Sequence, residues 1–173
     1  IKRFNYKPKG MWLAERVWEP SVPKILSKAG VFYTTLDDFH FKLCGLKDEV
    51  LNGYYITEDN NEIVGIFPGN ERLRYLIPFR SPQETLDYIL ERLSKVDESV
   101  HKDQSIAVTM ADDGEKLGIW PETYRSVYEE GWLESFFNLL EANKDRIETC
   151  TFYDYWSNNY PSGRIYLPTG SYR

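Results

Sequence analysis

The stretch that decides the fold is residues 10–36, which reads GMWLAERVWEPSVPKILSKAGVFYTTL. Its first part, Gly10 to Val17, has the apolar character of a short strand. A helix opened by two prolines follows and stops at Gly30, and a second strand is predicted over Val31 to Leu36. The order strand, helix, strand is the basic unit of a parallel α/β sheet.

The middle of the chain follows a different pattern. Tyr54 to Thr57, Glu62 to Phe67 and Arg74 to Pro78 have the composition of short strands, joined by turn-forming residues rich in Asp, Asn, Pro and Gly. The sequence therefore predicts an insertion of β-hairpins between the first βα unit and the next one.

A helix beginning at Ser81 has the clearest local signals in the chain. Ser81 is suited to the N-cap, Pro82 to the first helical position, and Glu84 to the closing position of a capping box. The apolar side chains that share one face of this predicted helix are Leu86, Ile89, Leu90 and Leu93.

Three more elements continue the alternation of strands and helices. We predict a strand over Ser105 to Met110, a long helix from Glu122 to Asn143, and a last strand over Thr149 to Tyr155. Repeated βα units indicate an α/β fold around a parallel sheet. A complete eight-unit barrel needs about 250 residues, so residues 1–173 are expected to be a piece of one larger domain.

Composition limits the classes of partner. The chain carries 21 Lys and Arg against 27 Asp and Glu, a net charge of −6, which argues against binding to a nucleic-acid backbone. Its apolar runs are too short for a bilayer helix. Cys44 and Cys150 lie far apart and form no zinc or disulfide pattern. The charge balance and the lack of predicted disulfides mildly favour the cytoplasm.

Acidic side chains follow three of the predicted strands. Glu15 ends the first strand, Asp37 and Asp38 end the second, and Asp112 and Asp113 end the strand that begins at Ser105. In parallel sheets the functional groups gather at the carboxyl ends of the strands. We therefore expect these carboxylates to lie at one edge of the sheet.

These acids have more than one interpretation. Glu15 can form a structural ion pair with a neighbouring Arg. Asp112, Asp113 and Glu115 can hold a metal, but their spacing does not match an EF-hand loop and Lys116 supplies a local counter-charge. We expect neither a metal nor a cofactor.

A third interpretation is cleavage of a glycosidic bond. That reaction needs one carboxyl group to protonate the leaving oxygen and a second to stabilise or attack the oxocarbenium centre. Trp12 lies three residues before Glu15, and Trp120 follows the second acidic cluster. Indole rings offer flat apolar faces to sugar rings, and 16% of the residues are aromatic.

Two motifs resemble those of glycoside hydrolase family 57. Residues 12–17, WLAERV, resemble the motif that carries the nucleophile of that family, and the resemblance assigns this role to Glu15. Residues 113–118, DGEKLG, resemble the motif D-x-E-x-x-G, whose first Asp is the general acid/base. The resemblance thus selects Asp113 over Asp112, which spacing alone left open.

The resemblance also implies a fold and a substrate. The fold is part of an incomplete (β/α)7 TIM-like barrel, and the family's substrate-stacking tryptophans match Trp12 and Trp120. The implied activity is that of a retaining enzyme acting on the α-1,4-glucosidic bonds of an α-glucan or maltooligosaccharide, with 4-α-glucanotransferase favoured. The alternatives are an α-amylase-type hydrolase and a non-catalytic glucan-binding relative.

Further substrate-binding residues are expected around the two motifs. They are Asp38, His40, Asp112 and Glu115. The segments 37–41 and 166–172 are reminiscent of the transferase and amylase branch of the family. His40 can either bind a sugar hydroxyl or be satisfied by local backbone, and His101 is expected in a solvated loop. Arg72, Arg74 and Arg80 are compatible with either acid pairing or surface solvation and stay unassigned.

Overall fold

A computed structural model describes residues 3–95 and 105–171. It is a mixed α/β structure with a four-stranded sheet. The strands are β1 (Gly10–Met11), β2 (Tyr33–Asp37), β3 (Tyr55–Asp59) and β4 (Glu62–Gly69). The helices are α1 (Val22–Lys28), α2 (Asp38–Leu43), α3 (Glu71–Leu76), α4 (Pro82–Ser94), α5 (Trp132–Ala142) and α6 (Phe152–Asn158).

The order of strands in the sheet is β1-β2-β4-β3. β1 pairs in parallel with β2, β2 pairs in parallel with β4, and β3 is antiparallel to β4. Asp37, the last residue of β2, lies beside Gly69, the last residue of β4, and Gly69 forms an isolated parallel bridge with Thr109. The chain therefore leaves several neighbouring strands at the same edge of the sheet.

Both faces of the sheet are buried, as is usual for parallel strands. Neighbouring residues in a strand point to opposite faces. One hydrophobic cluster contains Leu36 and Ile66, and the other contains Tyr33 and Phe67. This alternation explains why every residue of β2 is buried.

The predicted hairpin insertion needs correction. The β3–β4 hairpin exists, but β4 is a central strand of the sheet rather than part of an added element. The predicted strand Arg74 to Pro78 is wrong, because those residues largely belong to helix α3. Asn70 caps that helix by accepting a hydrogen bond from the Leu73 amide, with an N–O distance of 3.0 Å.

Three other boundaries also differ from the sequence prediction. The last predicted strand, Thr149 to Tyr155, is instead the start of α6, and the Thr151 hydroxyl caps that helix. The predicted helix from Glu122 to Asn143 is interrupted at Gly131, whose φ is 75°. Only Thr109 of the predicted strand Ser105 to Met110 pairs with the sheet, through its single bridge.

The α4 prediction is confirmed. The Ser81 hydroxyl accepts a hydrogen bond from the Glu84 amide at 3.1 Å, and Pro82 is the first helical residue. The prediction for His101 falls outside the described residues. Across 3–95 and 105–171, no helix combines the length and apolar character that a bilayer crossing requires.

Gly10 provides a stability test at the start of β1. A Cβ atom at this position would lie 2.1 Å from the Tyr33 ring. That ring is packed against Phe67, Phe152 and Trp156, with centroids 5.8–6.2 Å away, so it cannot simply swing aside. We expect Gly10→Ala to lower the free energy of unfolding by about 1–3 kcal/mol, the usual cost of overpacking.

Urea unfolding of the Gly10→Ala variant and of the parent protein measures this difference in the free energy of unfolding. Gly114→Ala is the matched control, because a Cβ at Gly114 meets no atom within 4 Å. Equal unfolding midpoints for the Gly10 variant and the parent protein would contradict the packing argument.

Candidate active site

The site lies at the carboxyl edge of the parallel strands. Residue 12 follows β1, residue 38 follows β2 and residue 70 follows β4, while residues 110–117 follow the bridge at Thr109. This arrangement brings together the segments that carry the predicted acidic side chains.

Glu15 lies in a tight 3₁₀ turn over Ala14–Arg16. β1 therefore ends earlier than predicted. Glu15 and Arg16 have φ angles of 53° and 47°, in the left-handed region that non-glycine residues rarely adopt. The turn leaves Glu15 exposed and Arg16 buried. Unusual backbone of this kind persists where surrounding contacts hold it, and it concentrates at functional sites.

Asp112 and Asp113 have opposite environments. The Asp112 side chain is buried, and its Oδ1 accepts a hydrogen bond from the Asp113 amide at 2.9 Å. Asp113 is exposed and precedes the 3₁₀ turn Gly114–Leu117. Asp113 is thus the member of the pair that can meet a ligand from solvent.

Buried ion pairs connect these two segments. Arg16 Nε lies 3.3 Å from Asp37 Oδ1, and Arg74 Nη1 lies 3.3 Å from Asp37 Oδ2. Arg74 Nε lies 3.3 Å from Asp112 Oδ1, and Lys116 Nζ pairs with Asp112 Oδ2. We call Arg16, Asp37, Arg74, Asp112 and Lys116 the ion-pair chain.

The ion-pair chain lies deep in the protein. Its side chains are 3–10% exposed. Buried charges are tolerated only when they are paired and hydrogen-bonded. Burial by itself would lower the pKa of Arg74, but the neighbouring carboxylates of Asp37 and Asp112 together outweigh that cost and raise this pKa above its already high ordinary value. Arg74 therefore stays charged at every working pH.

A tryptophan stands at each end of the ion-pair chain. The Arg16 guanidinium lies 4.7 Å from the centroid of the Trp12 ring, and the Lys116 ammonium lies 5.3 Å from that of Trp120. The two indoles are 40% and 41% exposed. Trp120 also stacks on Phe79, with ring centroids 6.1 Å apart. Each tryptophan is held from one side and leaves part of its surface to solvent.

A largely apolar cavity of about 640 Å³ begins beside these segments. Trp12 and Ala111 both line it, and they lie three residues before Glu15 and two before Asp113. Tyr33, Phe152 and Tyr153 contribute aromatic surface. A cavity of this size and lining suits a small organic ligand such as a sugar unit.

Asp38 lines a second, more polar cavity of about 500 Å³. Lys42 Nζ lies 3.0 Å from its Oδ2 and 2.9 Å from Asp48 Oδ1. Burial raises the pKa of Asp38, although the bond to Lys42 opposes this shift. Tyr75 and Tyr88 also line the cavity. Contact between Asp38 and substrate stays a prediction.

The structure places His40 inside the protein. Its ring is 2% exposed, its Nδ1 lies 3.2 Å from the Asp37 carbonyl oxygen, and a Cβ added at Gly170 would touch the ring at 3.4 Å. This environment favours the local-backbone alternative over contact with a sugar hydroxyl. A substrate role for His40 stays a prediction that its burial disfavours.

Glu115 is exposed in the turn that follows Asp113. Its carbonyl oxygen accepts hydrogen bonds from the amides of Ile119 and Trp120 at 2.9 and 3.0 Å, which fixes the backbone of Trp120. Both oxygens of Asp112 are occupied by cations. Within the described ranges, no group of three or more His, Cys, Asp or Glu side chains is arranged to hold a metal.

Comparison with known proteins places these features in a family. A family model described as glycosyl hydrolase family 57 matches residues 1–168. Alpha-amylase 1 of Dictyoglomus thermophilum is 47% identical over 171 residues, which are 99% of this chain and 24% of that protein. The 4-alpha-glucanotransferase of Thermococcus litoralis is 46% identical over 171 residues, which are 99% of this chain and 25% of that protein.

Solved structures agree with this result. The crystal structure of 4-alpha-glucanotransferase from Thermococcus litoralis has a TM-score of 0.89 and 43% identity, with coverage of 99% of this chain and 26% of that one. A branching enzyme from Pyrococcus horikoshii has a TM-score of 0.65 at 16% identity, a likeness of fold alone, covering 99% of this chain and 41% of that one. The chain spans about a quarter of the length of the two named sequence relatives.

Proposed function

Because the chain belongs to glycosyl hydrolase family 57, we propose that it carries the catalytic pair of a retaining enzyme that acts on α-1,4-glucosidic bonds. The observation that carries this proposal is the matched presentation of Glu15 and Asp113. Each is an exposed carboxylate beside a buried charged neighbour, and each accompanies a half-exposed tryptophan.

The proposed reaction has two displacement steps. In the first, a Glu15 oxygen attacks the anomeric carbon, the glycosidic bond breaks, and Asp113 gives its proton to the departing oxygen. In the second, Asp113 takes a proton from an acceptor hydroxyl, whose oxygen attacks the anomeric carbon and releases Glu15. Two inversions at one carbon retain the α configuration.

The surrounding residues bind the substrate in this proposal. Trp12 and Trp120 stack on glucose rings, and Glu115 and Asp38 accept hydrogen bonds from sugar hydroxyls. Asp112 acts indirectly, since its oxygens are committed to Arg74 and Lys116. The substrate is an α-glucan or a maltooligosaccharide.

The proposal includes an architecture. The parallel order β1-β2-β4 and the further parallel bridge at Thr109 support an arc of an incomplete (β/α)7 barrel. Residues 1–173 would then be the central part of one catalytic domain.

The acceptor in the second step separates two activities. A sugar hydroxyl gives a 4-α-glucanotransferase, and water gives an α-amylase. Relatives with both names are 40–47% identical to this chain. The exposed aromatic rings of Trp120 and Phe79 favour a bound sugar acceptor, so we favour transfer.

Incubation of the full-length gene product with maltotriose tests this choice. We expect a ladder of products both longer and shorter than the substrate, because only transfer can lengthen a chain. Chromatography of the products at low conversion reads the result. Shorter products alone would favour hydrolysis, and unchanged maltotriose with measurable binding would favour the non-catalytic alternative.

A further inference from the structure

Arg74 contacts both sides of the candidate site. It lies on α3, directly after β4, and its side chain pairs with Asp37 through Nη1 and with Asp112 through Nε. Asp37 is the last residue of β2 and Asp112 follows the bridge at Thr109, so one guanidinium joins segments that are far apart in sequence.

Each of these carboxylates is connected to a proposed catalytic residue. Asp37 holds Arg16, the neighbour of Glu15 in the left-handed turn. Asp112 precedes Asp113 and accepts a hydrogen bond from its amide. A set of contacts that runs from Arg16, in the turn of Glu15, to the backbone amide of Asp113 therefore passes through the Arg74 side chain.

The chemistry of this position requires a guanidinium group. Arginine presents several donors in a rigid planar fork, whereas the lysine ammonium is a compact point charge. Arg74 uses nitrogens on two sides of the fork to meet two carboxylates in a buried setting, where geometry strongly affects electrostatic energy. Its backbone carbonyl also accepts a hydrogen bond from Lys116 Nζ at 2.8 Å, which ties α3 to the Asp112 segment a second time.

We propose that Arg74 is a positioning residue that sets the separation of the Glu15 and Asp113 carboxyl groups. Retaining cleavage requires these groups to be about 5–5.5 Å apart. A displacement of about 1 Å can lower a rate by about a hundredfold. This inference rests on the proposed function, since it gives Arg74 a role in the same reaction.

Arg74→Lys in the full-length gene product is the first test. We expect kcat per active site to fall by about 10–100-fold while KM changes little, because binding surfaces such as Trp12 and Trp120 remain in place. Active sites are counted by trapping the covalent intermediate with a slow fluorinated glucosyl donor. This count separates loss of folded protein from loss of rate.

Chemical rescue of Arg74→Ala provides the second test. Guanidinium ion at millimolar concentration can occupy the vacated space and bridge Asp37 and Asp112, so we expect it to restore part of kcat. Methylammonium carries the same charge without the fork and is expected to restore little. Arg125 is the matched control, because it is an exposed arginine whose Nε lies 2.9 Å from Glu130 Oε1 and it lines neither of the two cavities described above. Arg125→Lys should keep the parental kcat.

The outcomes distinguish failure of the positioning role of Arg74 from failure of the proposed function. A parental kcat in Arg74→Lys, or an Arg74→Lys protein that does not fold, overturns the positioning role. Equal rescue by both cations overturns it as well, because charge alone would then be sufficient. If Glu15→Gln remains active, the proposed function fails and this inference fails with it. If Glu15→Gln is inactive while Arg74→Lys is fully active, only the role of Arg74 is rejected.

Discussion

Replacement of Glu15 by Gln in the full-length gene product is expected to reduce turnover of maltooligosaccharides by at least about 10⁴-fold, in the range seen when other covalent enzymes lose their nucleophile. Glutamine keeps the size of the side chain, but its amide oxygen is a poor nucleophile. Glu15 is exposed at the tip of its turn, so the change should not disturb the core. Initial rates measure the loss of turnover. Calorimetry measures the binding of maltotriose, which we expect to be largely retained.

Glu19→Gln is the matched control for this prediction. Glu19 is an exposed carboxylate a few residues further along, and it accepts a hydrogen bond from the Thr169 hydroxyl at 2.7 Å, which glutamine can also accept. We expect this variant to keep nearly parental turnover and binding. Near-normal turnover in the Glu15 variant would reject its assignment as nucleophile.

Local signals account for the parts of the fold that could be predicted. The α4 cap depends on residues within one turn of each other, and α1 ends just before a glycine with a φ of 77°. The strand β2 can be predicted from the run of β-branched and aromatic residues over 31–36, and the structure buries every residue of β2. In each case the information lies within a few adjacent residues.

Non-local contacts explain the errors. Residues 149–155 have strand-forming composition, but the packing of Phe152 and Tyr155 against Tyr33 and Phe67 of the sheet favours a helix. The parallel pairing of β4 with β2 joins residues about thirty positions apart. The sequence alone could not distinguish a central hairpin from an inserted one.

The candidate site likewise combines residues that local sequence signals predict with a residue whose role depends on non-local contacts. Glu15, Asp113 and the tryptophans stood out because acids follow apolar strands at short spacing, and family resemblance selected Asp113. Arg74 remained unassigned, because its partners Asp37 and Asp112 lie 37 and 38 positions away. One signal is present in the sequence: Asp37 and Asp112 each follow a predicted apolar strand, and an acid that is buried at such a place requires a cation from elsewhere in the fold.

Asp113→Asn is expected to have an effect that depends on the leaving group. Asparagine cannot protonate the glycosidic oxygen, so turnover of maltooligosaccharides should fall by about 10²–10⁴-fold, the usual contribution of general acid–base catalysis. α-Maltosyl fluoride releases fluoride without needing that proton. With this donor the first step should continue, and the covalent intermediate on Glu15 should accumulate because no base activates the acceptor.

Mass spectrometry of the trapped intermediate and rescue by azide test this division of labour. Azide attacks without losing a proton, so it should restore turnover in Asp113→Asn and give an α-glycosyl azide, whereas it should not rescue Glu15→Gln. Asp145→Asn, which changes an exposed aspartate in the turn after α5, is the control and should behave like the parent protein. Equal losses of rate with maltooligosaccharides and with α-maltosyl fluoride would show that Asp113 does more than transfer a proton. A β-glycosyl azide from the Asp113 variant would contradict the two-step retaining mechanism, because a single displacement inverts the anomeric carbon.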